Sequence, residues 1–472
     1  MASDPYYKSV EIQALLQSFQ EAEAEGGFAF LNRDEYIDIA QYYFDINQHQ
    51  KAKTITNKAL EYYPDDTELI VFRSRLSFII DNDRKAARQW LDVVEEQDTP
   101  SFLEMEVELA LDAGDISLAN KTVERHIHGI EDEDTQYDLI SAAVFVFFDY
   151  QYYEDTKKWL DRLPYDDEPD IQELKAKVLA NLNCFDKSDE ILNKLIDSDP
   201  YSTRYWNTLC STQLMRNKLE MAIESCDYAL AIDPNDEEAM LNRAYCMFQL
   251  GNHEETLRCY DRYTELAPWD ENGFIFKGIC LYSMDREVEA VKALKHAIEL
   301  APASSEEIWK AYQELAFIEI NNDNVENALK YVEKIKELRC APYHYYVIKG
   351  HILMQAGRQE EAVNSFEIAL KKSKGKNEVY FQIGVSAYEN GYPDYAIMML
   401  GQFILKSGQS NPDGYAYIAA CYFLKQDYNA FMKFLRTCVH VNPQEAYNVL
   451  GSFFPEELQP EEYVNYSERH PF

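Results

Sequence analysis

The sequence contains few of the residues that interrupt helices. Glycine and proline each occur only 16 times in 472 residues, which is too few for the many tight turns of an all-β protein. Long apolar runs are also missing, since no stretch approaches the roughly 18 apolar residues that a transmembrane helix requires. We therefore expect helices joined by short turns and no membrane span.

The chain also lacks the features of a secreted protein. Residues 1–25 contain neither the basic segment nor the apolar core of a signal peptide. The nine cysteines are scattered without paired spacing, a pattern typical of free thiols in a reducing compartment. The sequence therefore predicts a cytoplasmic location.

Positive charge is scarce. The chain has 45 lysine and arginine residues against 83 aspartate and glutamate residues, which gives a formal net charge of −38. Such a surface repels the phosphates of nucleic acids and anionic lipids, and it attracts basic partners. We therefore expect protein partners, and neither nucleic acid nor a membrane.

No motif for catalysis or metal binding is present. The sequence has no phosphate-binding glycine loop and no His-Glu-x-x-His helix. His126 and His128 are two residues apart, so on a helix they point to different faces and do not share an ion. The stretch Asp81-Asn82-Asp83 lacks the glycine and glutamate of a calcium loop. We expect no catalytic, cofactor-binding or metal-binding residue, and a protein that is not an enzyme.

What the sequence does contain is a 34-residue periodicity. Windows of this length start at 33, 67, 100 and 137, then at 169, 203, 237 and 271, and again at 309, 343, 377 and 411. Position 20 is occupied by a small residue in all twelve windows: Ala52, Ala86, Ala119, Thr156, Ser188, Ala222, Thr256, Ala290, Ala328, Ala362, Ala396 and Ala430. A fixed period of this kind indicates stacked helical hairpins, none of which can bury its apolar face alone.

The remaining positions of the period fit this interpretation. Position 8 is also usually small, and we expect it to face position 20 where the two helices of a hairpin cross, because small side chains allow a close approach. Proline at position 32 cannot continue a helix and so ends the second one. It occurs in five windows, as Pro64, Pro200, Pro234, Pro268 and Pro302.

The pattern resembles the tetratricopeptide repeat, and the resemblance extends over residues 33–444. The window from 203 shows it most fully, with Trp206, Leu209, Cys210, Ala222, Cys226, Ala229 and Pro234 at positions 4, 7, 8, 20, 24, 27 and 32. The resemblance implies an all-α, right-handed solenoid of about twelve hairpins that serves as a protein-interaction scaffold.

The predicted organisation has five parts. Residues 1–32 form an N-terminal capping helix, and residues 33–168 form repeats that are irregular around 126–170. Regular repeats occupy 169–308 and 309–443. Residues 444–472 form a C-terminal capping helix and a tail.

In this family the first helix of each hairpin lines the concave face, so the resemblance implies that positions 2, 5, 9, 12 and 13 face a groove. In the first half these positions are often acidic: Asp34, Asp45, Glu104, Glu108, Asp112 and Asp149. In the second half they are mainly aromatic or aliphatic: Tyr245, Phe248, Ile279, Tyr282, Phe317, His351, Phe381, Tyr388, Tyr415 and Tyr422. We expect the groove to bind a peptide or protein segment with basic residues at one end and bulky apolar residues at the other.

Two alternatives remain open at this stage. Individual aromatic residues of this set could pack between neighbouring first helices instead of facing a ligand. The chain could also be a structural protein that forms homo-oligomers through its aromatic second half or through Phe453 and Phe454. Binding of chaperone C-termini, known in one subfamily, is not expected, since Asn207 and Asn242 are not accompanied by the required basic residues.

Overall fold

The computed structural model of the chain describes residues 10–24, 31–46, 48–302, 305, 307–338, 342–408, 412–455 and 457–470. Over these ranges it contains 27 α-helices, one short 3₁₀-helix and no strand. The all-α helical-repeat fold expected from the sequence is therefore confirmed. The chain divides into two compact units, Met1–Pro234 and Asn235–Phe472, and this division falls inside the predicted run 169–308.

Thirteen helices belong to the first unit: α1 Val10–Ala24, α2 Arg33–Asp45, α3 His49–Tyr62, α4 Thr67–Ile79, α5 Arg84–Leu91, α6 Pro100–Asp112, α7 Ile116–Ile127, α8 Glu133–Asp149, α9 Tyr153–Leu160, α10 Pro169–Asn181, α11 Phe185–Ser198, α12 Thr203–Met215 and α13 Leu219–Ile232.

Fourteen belong to the second unit: α14 Glu237–Gln249, α15 His253–Leu266, α16 Glu271–Ser283, α17 Glu287–Leu300, α18 Ile308–Asn321, α19 Val325–Glu337, α20 Pro342–Gln355, α21 Gln359–Lys372, α22 Asn377–Glu389, α23 Pro393–Ser407, α24 Tyr415–Leu424, α25 Tyr428–Val441, α26 Pro443–Leu450 and α27 Pro460–Arg469. The 3₁₀-helix spans Gly451–Phe453.

The helices from α2 to α25 pair in sequence as helical hairpins. Six pairs, α2–α3 to α12–α13, form the first unit, and six more, α14–α15 to α24–α25, form the second. We call the even-numbered members first helices and the odd-numbered members second helices. This arrangement matches the twelve repeats of the sequence period.

In each of the eleven hairpins from α4–α5 to α24–α25, a residue with left-handed backbone geometry makes the turn. At position 15, Asn217, Gly251 and Asp285 have φ values of 53°, 75° and 58°. This conformation suits glycine best and is next most often adopted by asparagine and aspartate. The turn residue therefore marks the true register of each repeat.

Position 20 is the buried contact that the sequence predicted, with two exceptions. Ten of the twelve residues are 0% exposed, but Ala86 and Ala430 are partly exposed. The buried residues there are the next ones along, Ala87 and Phe431. The left-handed residues of these two hairpins are likewise displaced by one, so the repeats placed at 67 and 411 begin instead at 68 and 412.

Position 8 packs more closely against position 24 than against position 20. A Cβ atom added to Gly278 would lie 2.6 Å from Cγ of Leu294, at position 24, and 3.4 Å from the carbonyl oxygen of Ala290, at position 20. The same pair of positions brings the Sγ atoms of Cys210 and Cys226 to 3.1 Å. The expected contact between positions 8 and 20 is present as well, because Ser188 Oγ at position 20 donates a hydrogen bond to the carbonyl oxygen of Ala176 at position 8, at 2.8 Å. The side chain at 24 fills the space that a small residue at 8 leaves.

The two helices of the hairpin within residues 126–170 differ in length. The first helix α8 has 17 residues and its partner α9 only eight. At the start of this region, His126 forms a buried pair with Glu106 of α6, with 3.0 Å between His126 Nε2 and Glu106 Oε2. Both residues stand where apolar residues usually pack. A polar contact has replaced an apolar one at this junction.

Both ends of the repeat array are covered by extra helices. Ile12, Leu16 and Phe19 of α1 are buried in one cluster with Tyr36 and other core residues. The C-terminal capping helix α26 begins one residue earlier than predicted. The segment predicted as a tail contains α27, whose Tyr463 stacks on Phe454 with 3.9 Å between ring centroids.

Candidate peptide-binding cavity

The second unit contains a cavity of about 540 Å³, which we call the second-unit cavity. Five consecutive first helices, α16, α18, α20, α22 and α24, contribute its lining. The lining residues are Tyr282, Trp309, Gln313, Phe317, Asn321, His344, Val347, Ile348, His351, Gln355, Phe381, Gln382, Val385, Ser386, Glu389 and Tyr417.

Most of this lining comes from equivalent positions in successive repeats. Residues four apart on a helix share one face, and positions 5, 9 and 13 form such a row on α18, α20 and α22. The three rows are Gln313, Phe317 and Asn321, then Val347, His351 and Gln355, then Phe381, Val385 and Glu389. Stacking the hairpins places the rows side by side.

Aromatic rings form much of the surface. Trp309 stacks on His344 with centroids 4.8 Å apart and planes within 15°. Phe317 lies 4.9 Å from the ring of His351. Phe381 meets Tyr417 edge to face at 5.9 Å. These pairs hold apolar ring faces in fixed positions.

A chain of polar side chains connects three of the helices. Asn321 Nδ2 donates to the hydroxyl oxygen of Tyr282 at 2.7 Å, and Gln355 Nε2 donates to Asn321 Oδ1 at 2.7 Å. Gln382 Nε2 donates to Glu378 Oε1 at 3.1 Å. Since amide side chains both donate and accept hydrogen bonds, they suit contact with a peptide backbone.

Burial controls the charge of the ionisable lining residues. It lowers the pKa of His351 to about 4, so this ring is neutral at pH 7, with its Nδ1 3.0 Å from Ser386 Oγ. Burial also lowers the pKa of His344 and raises that of Glu389. Neither histidine therefore supplies a positive charge at neutral pH.

Four of the ten predicted second-half residues line the cavity: Tyr282, Phe317, His351 and Phe381. Four others do not, namely Tyr245, Phe248, Ile279 and Tyr388. Tyr245 is 47% exposed on α14, and Phe248 makes an edge contact of 5.3 Å with His253. Ile279 packs against a core cluster, and the ring of Tyr388 lies 5.4 Å from that of Tyr417.

The one-residue register shift explains why the last two, Tyr415 and Tyr422, are not in the lining. In a repeat that begins at 412 they occupy positions 4 and 11, which are packing positions. Both rings accordingly contact Phe434 of α25, at centroid distances of 6.4 and 5.5 Å. Tyr417 moves to position 6 and joins the lining, as do Ile348 and Gln382 at the same position.

Several lining residues were not predicted, because acidic residues were assigned to the groove only in the first half and bulky residues only in the second. Gln313, Asn321, Gln355 and Glu389 stand at positions 5 and 13, which were already assigned to the groove. Taking every residue type at those positions would have identified them. Trp309 stands at position 1, and nothing in the pattern pointed to it.

In the first unit the structure brings together four of the six predicted acidic residues. Glu104, Glu108 and Asp112 form the row at positions 5, 9 and 13 of α6, and Asp149 ends α8. Burial, followed by the charges of the other three, raises the pKa of Glu108, and Arg75 opposes this rise. Repulsion among these carboxylates is thus only partly offset.

The same acidic residues have basic neighbours on adjacent helices. Arg75 Nη2 lies 3.0 Å from Glu104 Oε2, and Arg84 pairs with Asp112. The other two predicted acids lie on α2, where Asp34 pairs with Arg33 at 2.7 Å and Asp45 accepts a hydrogen bond from Gln41.

The described ranges contain neither a membrane-spanning helix nor a cluster of metal ligands. No helix there is both long and apolar enough to span a bilayer. No three or more His, Cys, Asp or Glu side chains in those ranges are grouped so that they could hold a metal ion.

Sequence profiles of the tetratricopeptide repeat match three segments of the chain, residues 36–66, 238–268 and 343–371. Each segment covers one hairpin: α2–α3, α14–α15 and α20–α21. The third includes His344, Val347 and His351 of the second-unit cavity. No curated protein is significantly similar in sequence to the chain.

Three solved structures match the chain at low sequence identity and with TM-scores below 0.5. A chain of the APC/C hetero-tetramer Cut9-Hcn1 is 14% identical over 93% of this chain and 99% of its own, with a TM-score of 0.35. Yeast Tom70 is 14% identical over 93% and 96%, with a TM-score of 0.46. MamA from Desulfovibrio magneticus RS-1 is 15% identical over 36% and 95%, with a TM-score of 0.32. Because every TM-score is below 0.5, we transfer no property of these proteins.

Proposed function

We propose that this chain, a tetratricopeptide repeat protein, is an interaction scaffold that binds a segment of a partner protein in the second-unit cavity. One observation carries the proposal: the same three repeat positions on α18, α20 and α22 line a single cavity. A surface built by repetition along successive hairpins suits an extended or helical segment that runs across them.

The chemistry of the lining supports a peptide ligand. The faces of Trp309, Phe317 and Phe381 offer apolar contact for bulky side chains. The amides of Gln355 and Gln382 offer hydrogen bonds for a backbone. The volume lies within the roughly 300–1,000 Å³ of typical ligand sites, so it accommodates a few side chains of a longer segment.

The acidic residues of the first unit form the second part of the proposal. A lysine or arginine of a partner, placed among Glu104, Glu108, Asp112 and Asp149, would relieve the repulsion that helps raise the pKa of Glu108. The expected partner therefore combines basic and apolar segments.

The proposal is tested by affinity capture from native lysate with the full chain as bait. The variant Phe317→Ala/Phe381→Ala removes two rings of the cavity. A matched control, Val288→Ala/Leu405→Ala, truncates two residues on second helices that are 85% and 75% exposed. Circular dichroism establishes that both variants stay folded. We expect the cavity variant to lose the partners that the wild type and the control retain; equal capture by all three would overturn the proposal.

Self-association is the competing function, and the structure provides intramolecular contacts for the residues once assigned to it. Phe453 stacks on Phe423 at 4.6 Å, and Phe454 stacks on Tyr463. We expect multi-angle light scattering to give a monomer mass at every concentration. A dimer abolished by Phe317→Ala/Phe381→Ala would instead identify a second copy as the occupant of the cavity.

A further inference from the structure

Glu389 is the only carboxylate among the described residues that line the second-unit cavity. It is the last residue of α22 and stands at position 13 of its repeat, where α18 and α20 carry the neutral side chains of Asn321 and Gln355. At position 13, α22 therefore carries a negative charge, whereas α18 and α20 do not.

No positive charge among the described residues forms an ion pair with this carboxylate. Its Oε2 atom lies 3.9 Å from Nδ1 of His351, but that ring is neutral at pH 7 because burial lowers its pKa to about 4. Among the described residues, no lysine or arginine nitrogen comes within the 4.0 Å of an ion pair with Glu389. The side chain of Glu389 is 53% exposed, so an approaching basic side chain can reach it and form a charge-assisted hydrogen bond.

The opposite end of the cavity differs. There His344 and Trp309 lie near Lys310, which is paired with Glu307, and the pKa of His344 responds to Glu378, Lys376, Glu307 and Lys310. Charges of both signs are thus already present near that end. Among the described lining residues, the negative charge without a cationic partner therefore lies at the Glu389 end.

Aromatic rings share the cavity with the carboxylate. Phe381 and Tyr417 line it together with Glu389, Tyr417 contacts Phe381, and the charge of Glu389 contributes to the raised pKa of Tyr417. Ring faces attract cations, and they also pack well against the aliphatic stem of lysine or arginine. A carboxylate beside such rings is a recognition site for a basic side chain.

We propose that the segment bound in the second-unit cavity places a lysine or arginine side chain beside Glu389, with its stem against Phe381 and Tyr417. This inference rests on the proposed function, and it makes Glu389 the residue that determines specificity at that site. It predicts a ligand with a basic residue at the Glu389 end and an apolar residue towards Trp309.

The test uses a phage-displayed library of random peptides selected on the full wild-type chain. Selected peptides are synthesised in two forms, one with its lysine or arginine and one with norleucine there, which keeps an aliphatic stem without the charge. Fluorescence anisotropy gives the dissociation constants for the wild type, Glu389→Gln, Glu367→Gln and Phe317→Ala/Phe381→Ala. Glu367 is an exposed residue of the second helix α21, so its variant controls for the change in net charge.

We expect selected peptides to carry lysine or arginine together with an apolar residue. Glu389→Gln should weaken binding of the basic form about tenfold, the range of a charge-assisted contact, and that of the norleucine form less than about twofold. Glu367→Gln should change neither.

Two results would overturn the inference, and they are distinguishable. If peptides bind in a manner sensitive to Phe317→Ala/Phe381→Ala but lack basic residues, or are indifferent to Glu389→Gln, the inference fails and the proposed function stands. If no selected peptide depends on Phe317 and Phe381, the proposed function fails and the inference fails with it.

Discussion

Gly384 of α22 and Leu400 of α23 are packed so closely that the first has no room for a side chain. A Cβ atom at Gly384 would lie 2.5 Å from Leu400 Cγ and 3.2 Å from its backbone nitrogen. The nitrogen is part of the helix and cannot move away alone. This contact between positions 8 and 24 fixes the separation of the two helices of the hairpin.

The first prediction compares two glycines of the same hairpin. Gly384→Ala should destabilise the protein by about 1–3 kcal/mol, because the added methyl group overpacks the crossing. Gly401→Ala, one residue after Leu400 and with nothing within 4 Å of an added Cβ, should stabilise by about 0.5–1 kcal/mol, since alanine favours a helix. Urea unfolding measures the stability of both variants. Equal changes in stability would contradict the close contact between Gly384 and Leu400.

The second prediction tests the corrected register of the last repeat. Ala290→Leu inserts a large side chain at a position that is 0% exposed and should cost about 1–3 kcal/mol. Ala430→Leu, at the same nominal position but partly exposed, should change stability by less than about 0.5 kcal/mol. Thermal and urea unfolding measure the difference. A large loss of stability in Ala430→Leu would show that the last repeat begins at residue 411 and not at 412.

The third prediction concerns the buried carboxylate of Glu106. Burial would raise its pKa, but the hydrogen bond with His126 and the charges of Arg125 and Arg88 outweigh this effect and lower the pKa. Its ionised form therefore stabilises the fold at neutral pH, and this contribution is lost as the pH falls through the lowered pKa. Glu106→Gln should cost about 1–3 kcal/mol at pH 7 and reduce the sensitivity of stability to acid.

The control for Glu106 is another carboxylate that contacts Arg88. Asp92 lies 3.1 Å from Arg88 Nε, and its side chain is 59% exposed. Since exposed ion pairs contribute little, Asp92→Asn should cost less than about 1 kcal/mol. A similar loss of stability in Glu106→Gln and Asp92→Asn would show that burial does not strengthen the contacts of Glu106.

The fourth prediction is a pH dependence at the C-terminal cap. Glu445 of α26 accepts hydrogen bonds from the backbone nitrogens of Gly414, at 2.6 Å, and Ala416, at 3.1 Å. Burial raises its pKa from 4.5 to about 7 despite these bonds. The folded chain then binds a proton that the unfolded chain has released, so stability should fall as the pH rises from about 4.5 to 7.

Thermal unfolding at pH 5 and pH 8 measures this effect. Glu445→Gln stays neutral at both values, so the decrease in midpoint between them should be smaller than in the wild type. Glu461→Gln, at an exposed position of α27, should leave the wild-type decrease unchanged. If the unfolding midpoint of Glu445→Gln decreased between pH 5 and pH 8 as much as that of the wild type, Glu445 would not be the group responsible for the pH dependence.

The repeat fold was predictable because its determinants recur. Small residues such as Ala222 and Ala290 return every 34 residues, and each marks a crossing of two helices. Counting alone failed where the interval changed by one residue. The turn residue Gln426 has φ of 59°, yet glutamine is not typical of that conformation, so the shift of the last repeat left no clear mark in the sequence.

The repeat positions that line the cavity were easier to predict than the individual side chains that face it. Phe317 and His351 follow from their repeat positions, whereas Tyr388 stands at a position from which the side chain reaches Tyr417 of the next repeat. Whether a ring faces the cavity or a neighbouring helix depends on the stacking of hairpins, which a single period does not encode. The charge of Glu389 has meaning only once the neutral state of His351 is known, and that state follows from burial.

The most direct test of the account is hydrogen–deuterium exchange of the full chain with and without a captured partner or selected peptide. Binding in the second-unit cavity predicts slower exchange in residues 308–321, 342–355 and 377–389, the first helices that supply its three rows. Unchanged exchange in these three helices, with protection confined to second helices such as α19, α21 and α23, would contradict it.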